Sequence, residues 1–215
     1  MPDMPTPPAL SLLEHVARGH ALNAGKRHAE AIVALDEALR LDPACVAALI
    51  ARGFAYNGLK RYGPALRDLD EAIRLDPARA DAFNNRGYAH DGERRYDHAI
   101  RDLDEALRLD PSFADALNGR GHAWAARGDH EAALRDFDAA LRLAPGFASA
   151  FHNRGCSHAA RGDHEQALRD FDAALRLQPG HVAARHRRHV TLRVLGREEN
   201  DPSPLPDTRE IRRLS

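Results

Sequence analysis

Residues 126–146 read ARGDHEAALRDFDAALRLAPG, and residues 160–180 read ARGDHEQALRDFDAALRLQPG. The two stretches differ at two places, where Ala132 becomes Gln166 and Ala144 becomes Gln178. The same period runs outward through the chain. Proline stands at 43, 77, 111, 145 and 179, and the dipeptide Arg-Gly at 18, 52, 86, 120 and 154, each 34 residues after the last. Two landmarks in phase over five copies make internal repetition the organising fact. The repeats frame as 12–45, 46–79, 80–113, 114–147 and 148–181, with a partial sixth unit at 182–195.

Each unit reads as two helices. In the fourth, Leu117, Gly121 and Trp124 stand at i, i+4 and i+7, the spacing of one helical face. Gly128 predicts the end of that helix in a left-handed cap, and Asp129 an N-cap for the next. Ala133, Leu134, Phe137, Ala140 and Leu141 then form one stripe, until Pro145 forbids further helix.

These residues resemble the tetratricopeptide repeat (TPR) family over roughly residues 10–195. Gly holds the eighth position (Gly19, Gly53, Gly87, Gly121, Gly155), Ala the twentieth (Ala31, Ala65, Ala99, Ala133, Ala167) and Ala again the twenty-seventh (Ala38, Ala72, Ala106, Ala140, Ala174). Leu or Phe holds the twenty-fourth (Leu35, Leu69, Leu103, Phe137, Phe171) and Pro the thirty-second. The resemblance implies an all-α fold, a right-handed α-solenoid of five helix-turn-helix repeats whose 182–195 segment forms a C-terminal capping helix. Such a unit cannot bury its apolar stripe alone, so stability comes from stacking on neighbours. One departure is visible: the seventh position is Arg in each copy, where the family commonly has Leu.

Charge follows the same period. Asp36, Asp70, Asp104, Asp138 and Asp172 each precede an arginine by four residues, predicting i, i+4 pairs on a solvated face. The seventh-position arginines recur with Asp68, Asp102, Asp136 and Asp170 at the twenty-third position. This pattern predicts a ladder of Arg–Asp pairs between helices, with Arg18 left without its partner because Ala34 replaces the aspartate.

At the ends, residues 1–9 hold four prolines and are expected to be a disordered tail, as is the polar stretch 196–215. Ser11 and Glu14 form an S-x-x-E capping box that starts the first helix near Leu12. The segment 182–195 has Arg185, Arg187, Arg188 and Arg193 and no acid, the polar outer face a terminal cap needs.

Composition narrows the function classes. Thirty-one basic and 32 acidic side chains remove the strongest argument for a nucleic-acid or anionic-membrane partner. No run of 18 apolar residues is present to span a bilayer, and MPDMPTPPAL lacks the pattern of a secretory signal. Cys45 and Cys156 make no disulfide framework and fit a reducing compartment. Arginine outnumbers lysine 29 to 2, as in GC-rich genomes. The expectation is a cytoplasmic, bacterial protein.

No G-x-S-x-G, P-loop or G-x-G-x-x-G motif is present, so no enzyme and no cofactor is expected. The 13 histidines need a separate reading. His98, His130 and His164 begin second helices and are expected to face water, and His90 and His158 at the eleventh position to pack within their repeats. His152 and Cys156 lie four apart on one helix, at the fifth and ninth positions, and His122 and His186 hold the ninth and fifth positions of the neighbouring first helices. Three imidazoles and a thiolate would suit Zn²⁺, though the spacing is no zinc motif, and groove lining without metal is the simpler reading.

In the family, first helices line a concave surface that captures a peptide or helix of a partner. Carried over by position, the resemblance implies a groove formed by Asn57, Asn84, Asn85, Tyr88 and Asp91, continuing through Asn118, His122, His152, Asn153, His186 and Arg187. Asn85 and Asn153 match the place where chaperone-binding members use Asn, but neither of the clamp lysines is present. The expected function is a non-catalytic scaffold for a protein or peptide partner, with the terminal repeats open to self-association. The alternative is a metal- or nucleic-acid-binding role through the His/Cys groove or the basic terminal helix.

Overall fold

The computed structural model describes residues 10–197. The expectations for residues 1–9 and 198–215 therefore lie outside the described residues. Each repeat contributes a first helix of 13 residues and a second of 14: α1 (Leu12–Ala24) with α2 (His28–Leu41), α3 (Val46–Gly58) with α4 (Tyr62–Leu75), and α5 (Ala80–Gly92) with α6 (Tyr96–Leu109). Then come α7 (Ala114–Ala126) with α8 (His130–Leu143), α9 (Ala148–Ala160) with α10 (His164–Leu177), and α11 (Val182–Val194). No strand occurs among the described residues. The described residues form two compact units that divide between Asp110 and Pro111.

Local chemistry sets the helix ends. The Ser11 hydroxyl accepts from the Glu14 amide while the Glu14 carboxylate accepts from the Ser11 amide, so the capping box is complete. Asp129 caps α8 by accepting from the Ala132 amide at 2.9 Å. Gly128 takes the expected left-handed conformation at φ +89°. In the first three repeats the same turn position is filled by Lys26, Lys60 and Arg94, with φ of 57°, 56° and 62°.

Within each unit the helices pack as a solenoid segment. Every first helix packs on its own second helix, and each second helix on the next first helix. First helices also touch across repeats, α1 with α3, α3 with α5, α7 with α9 and α9 with α11. No such row of contacts joins the second helices, so in each unit the inner face is made of first helices. The central side chains are Leu35, Leu69, Leu103, Phe137 and Phe171, buried to 1% exposure or less. Each fills the space above a glycine: a Cβ on Gly121 would stand 2.7 Å from Phe137 Cε1. That approach requires an absent side chain.

The Arg–Asp ladder is present, and it is wider than the sequence spacing suggests. Arg52 grips Asp68 of its own repeat through Nε and Nη2, both at 2.7 Å, and reaches Asp36 of the preceding repeat through Nη1 at 2.6 Å. Arg86 does the same with Asp102 and Asp70, and Arg154 with Asp170 and Asp138. Arg120 grips Asp136, and Arg188 on α11 takes Asp172. The expected i, i+4 pairs are therefore corrected. Asp36, Asp70 and Asp138 turn toward the next repeat's arginine, while Arg40, Arg74 and Arg108 pair instead with Glu37, Glu71 and Glu105 three residues back. A planar guanidinium has two donor edges, so it can serve two carboxylates at once. Arg18 is exposed and makes no ion pair among the described residues, as the Ala34 replacement implied.

At the far end, Gly196 is left-handed at φ +66° and Arg197 grips Glu165 with both Nη atoms. Of these two residues, expected to begin a tail, Gly196 donates to the Arg193 carbonyl of α11, and Arg197 is tied to α10.

Candidate binding cavity

The first helices of the second unit, with α8, line a half-open cavity of about 750 Å³. Its floor is Phe137 and Ser157, both essentially buried, and its walls include His152, Cys156, Val182 and Ala183. His122 and Arg187 are exposed at its rim. Phe137 and His130 come from α8, and the other lining residues from α7, α9 and α11.

A directed chain of hydrogen bonds holds one wall in place. Asn153 Nδ2 donates to Asn118 Oδ1 at 3.1 Å, which leaves Asn153 Oδ1 to accept from His152 Nδ1 at 3.2 Å. The imidazole proton is thereby placed on Nδ1. Nε2 is left as the acceptor for the Cys156 thiol, 3.6 Å away. Electrostatics agree with this arrangement. Burial above all pushes the His152 imidazole down to about 4, against the opposing hydrogen bond to Asn153, and burial likewise pushes the Cys156 thiol up. Near neutrality both groups are uncharged. His181, whose Nδ1 caps α11 by accepting from the Ala184 amide, stacks on His152 with ring centroids 5.0 Å apart.

Of the residues expected to form a groove, His122, His152, Asn153, His186 and Arg187 line this cavity together. Asn118 is 6% exposed and serves them from behind, through Asn153. The remaining five lie on first helices of the other unit. There Asn57 Nδ2 donates to the Asn85 carbonyl at 2.8 Å, Asn84 is 6% exposed, and Asn85, Tyr88 and Asp91 are half-buried on α5. Three participants were not foreseen. His130, expected at the solvent, lines the cavity. His181 sits at a loop end where its ring reaches back to α9. Ser157 interrupts a row of alanines at the tenth position, a signal visible in the sequence.

The alternative chemistry is not supported here. Among the described residues no group of three or more His, Cys, Asp or Glu converges as a metal ion requires. The basic character of α11 is also partly structural, since Arg188 is paired with Asp172 and Arg185 donates to the Pro179 carbonyl. Among the described residues no helix is long and apolar enough to cross a membrane.

Stacked two-helix repeats with a first-helix inner face define a helical-repeat protein. Family models for the tetratricopeptide repeat match residues 15–45 and 46–79, residues 84–146, and residues 148–181. The chain belongs to the tetratricopeptide repeat family. Among curated proteins, none matches it. Among solved structures it is similar to YrrB, a TPR protein with an unusual peptide-binding site, at 27% identity and a TM-score of 0.59, over 82% of this chain and 91% of that one. It is similar to MamA at 25% identity and a TM-score of 0.61, over 75% and 94% of the two chains. TTC0263, a thermophilic TPR protein in Thermus thermophilus, shares the fold at 21% identity with a TM-score of 0.76, over 85% and 99%.

Proposed function

We propose that the protein is a non-catalytic interaction module that holds a segment of a partner protein against its first helices, with the cavity of the second unit as the principal seat. The observation that carries this reading is the cavity itself: about 750 Å³, with Phe137 and Ser157 at its floor and imidazole and guanidinium groups at its rim. Pockets of this size lined by apolar and aromatic groups with a few placed polar atoms are where ligands bind. The described peptide-binding site of YrrB supports the same use of the fold. His152 and Cys156, neutral and bonded to each other, are structural groups of the wall. The first helices of the other unit, with Asn57, Asn84, Asn85, Tyr88 and Asp91, offer a second polar surface of the same kind. Two free cysteines and the arginine-rich composition fit a bacterial cytoplasm.

The test is a selection of random displayed peptides on the intact protein, repeated on His186→Trp, which fills the cavity. Recovered peptides should bind the parent and lose most of their affinity for the variant. Peptides that bind both equally would place the seat elsewhere.

A further inference from the structure

Ser157 lies at the cavity floor with 1% exposure, and its Oγ has no hydrogen-bond partner among the described residues. The same position in three earlier repeats is Ala55, Ala89 and Ala123, each fully buried. In α11 the position is Thr191, whose hydroxyl donates to the Arg187 carbonyl at 2.8 Å, a bond that the Ser157 hydroxyl does not make. Leaving a hydroxyl unpaired costs about 1–3 kcal/mol. His130 Nδ1, in the same lining, is likewise buried without a partner. The lining also offers flat and aliphatic surfaces: the Phe137 ring, the neutral His152 ring, and Val182. The lining includes no Asp or Glu, while Arg187 at the rim is exposed and makes no ion pair among the described residues.

We infer that the cavity is an anchor pocket for a tyrosine side chain carried on an acidic segment of a partner protein. The inference rests on the interaction-module reading above and specifies its ligand. A phenol ring supplies apolar faces and edges that pack against Phe137 and the imidazoles. Its hydroxyl both donates and accepts, so it can pair with the Ser157 hydroxyl. A phenylalanine would fill the space and leave the Ser157 hydroxyl unpaired. A pocket built to hydrogen-bond a hydroxyl discriminates strongly against an analogue that lacks it. Carboxylates flanking the anchor meet Arg187 and no repelling acid in the lining.

The probes are three capped peptides with a central tyrosine between aspartates, a central phenylalanine between aspartates, and a central tyrosine between lysines. Each is titrated into the full-length protein and into Ser157→Ala, following backbone amide shifts by NMR. The tyrosine–aspartate peptide should bind and shift the amides of residues 130, 152 and 157. The phenylalanine and lysine peptides should each bind at least about tenfold more weakly. Ser157→Ala, an exchange already present at the corresponding place in other repeats, should melt no lower than the parent and lose the preference for tyrosine over phenylalanine. Equal binding of tyrosine and phenylalanine, or a preference that survives in Ser157→Ala, would overturn the phenol assignment. Equal binding of the lysine peptide would overturn the acidic partner. If none of the three binds while displayed peptides still recognise the cavity, the inference fails and the interaction module stands. If no peptide of either kind is bound at the cavity, both fail.

Discussion

Lys26, Lys60 and Arg94 hold a left-handed backbone that costs a side-chain-bearing residue about 1–2 kcal/mol. The equivalent turns of the later repeats use Gly128 and Gly162. Lys60→Gly should therefore raise stability by about 0.5–1 kcal/mol, the strain relieved less the chain entropy that glycine adds to the unfolded state, as read by urea denaturation. His152 makes the opposite kind of prediction. Its folded pKa lies below its unfolded value, so the unfolded chain takes up the proton first. Stability should fall as pH drops from about 6.5 toward 4, by up to about 3 kcal/mol, and level off below. His152→Asn, which copies Asn118 of the preceding repeat, should flatten that part of the curve; parallel curves for the two proteins would show an ordinary histidine. His152 with His186, and Cys156 with His122, stand out in the sequence because each pair shares one position of the repeat, the fifth and the ninth. The sequence reading missed His181 and His130 because a turn and a helix start swing those rings inward, which spacing along one helix does not encode.

At the scale of the helix pair, two devices hold the repeats. One is steric: Gly121 lies under Phe137, and Gly121→Leu should cost about 3 kcal/mol through overpacking, measured by chemical denaturation. The other is ionic. Arg86→Ala leaves Asp102, whose side chain is 10% exposed, with His90 Nε2 at 3.7 Å in place of two guanidinium bonds, and should cost about 2–4 kcal/mol. Arg86→Leu combined with Asp102→Leu should recover most of that loss, because an apolar pair of similar size needs no partner. A double variant as unstable as the single one would mean that the arginine packs chiefly through its stem. Helix boundaries and half of the ladder were legible in the repeated residues; the contact of each glycine with a Leu or Phe was not. The other half of the ladder was not either, because helix rules compare residues three or four apart. The second aspartate of each clamp lies 16 residues before its arginine, as the first lies 16 after it.

For the whole molecule, the end of the array is the vulnerable place. α11 buries Ala184, Thr191 and Leu192 against its neighbours and brings Arg188 to Asp172. Deleting residues 182–195 should expose the face of α10 and cause self-association in light scattering, with little loss of helicity per residue by circular dichroism. A truncated chain that stays monomeric and equally stable would show that α11 is dispensable as a cap. The two-carboxylate clamp has a further meaning at this scale, one that concerns how such genes change length. Because Arg86 meets Asp70 as Arg52 meets Asp36, excising residues 46–79 would bring Asp36 to Arg86 and rebuild the same joint from different residues. A recombination event that gains or loses a multiple of 34 codons therefore needs no compensating mutation at the seam, whereas one that is out of phase leaves a carboxylate without its arginine.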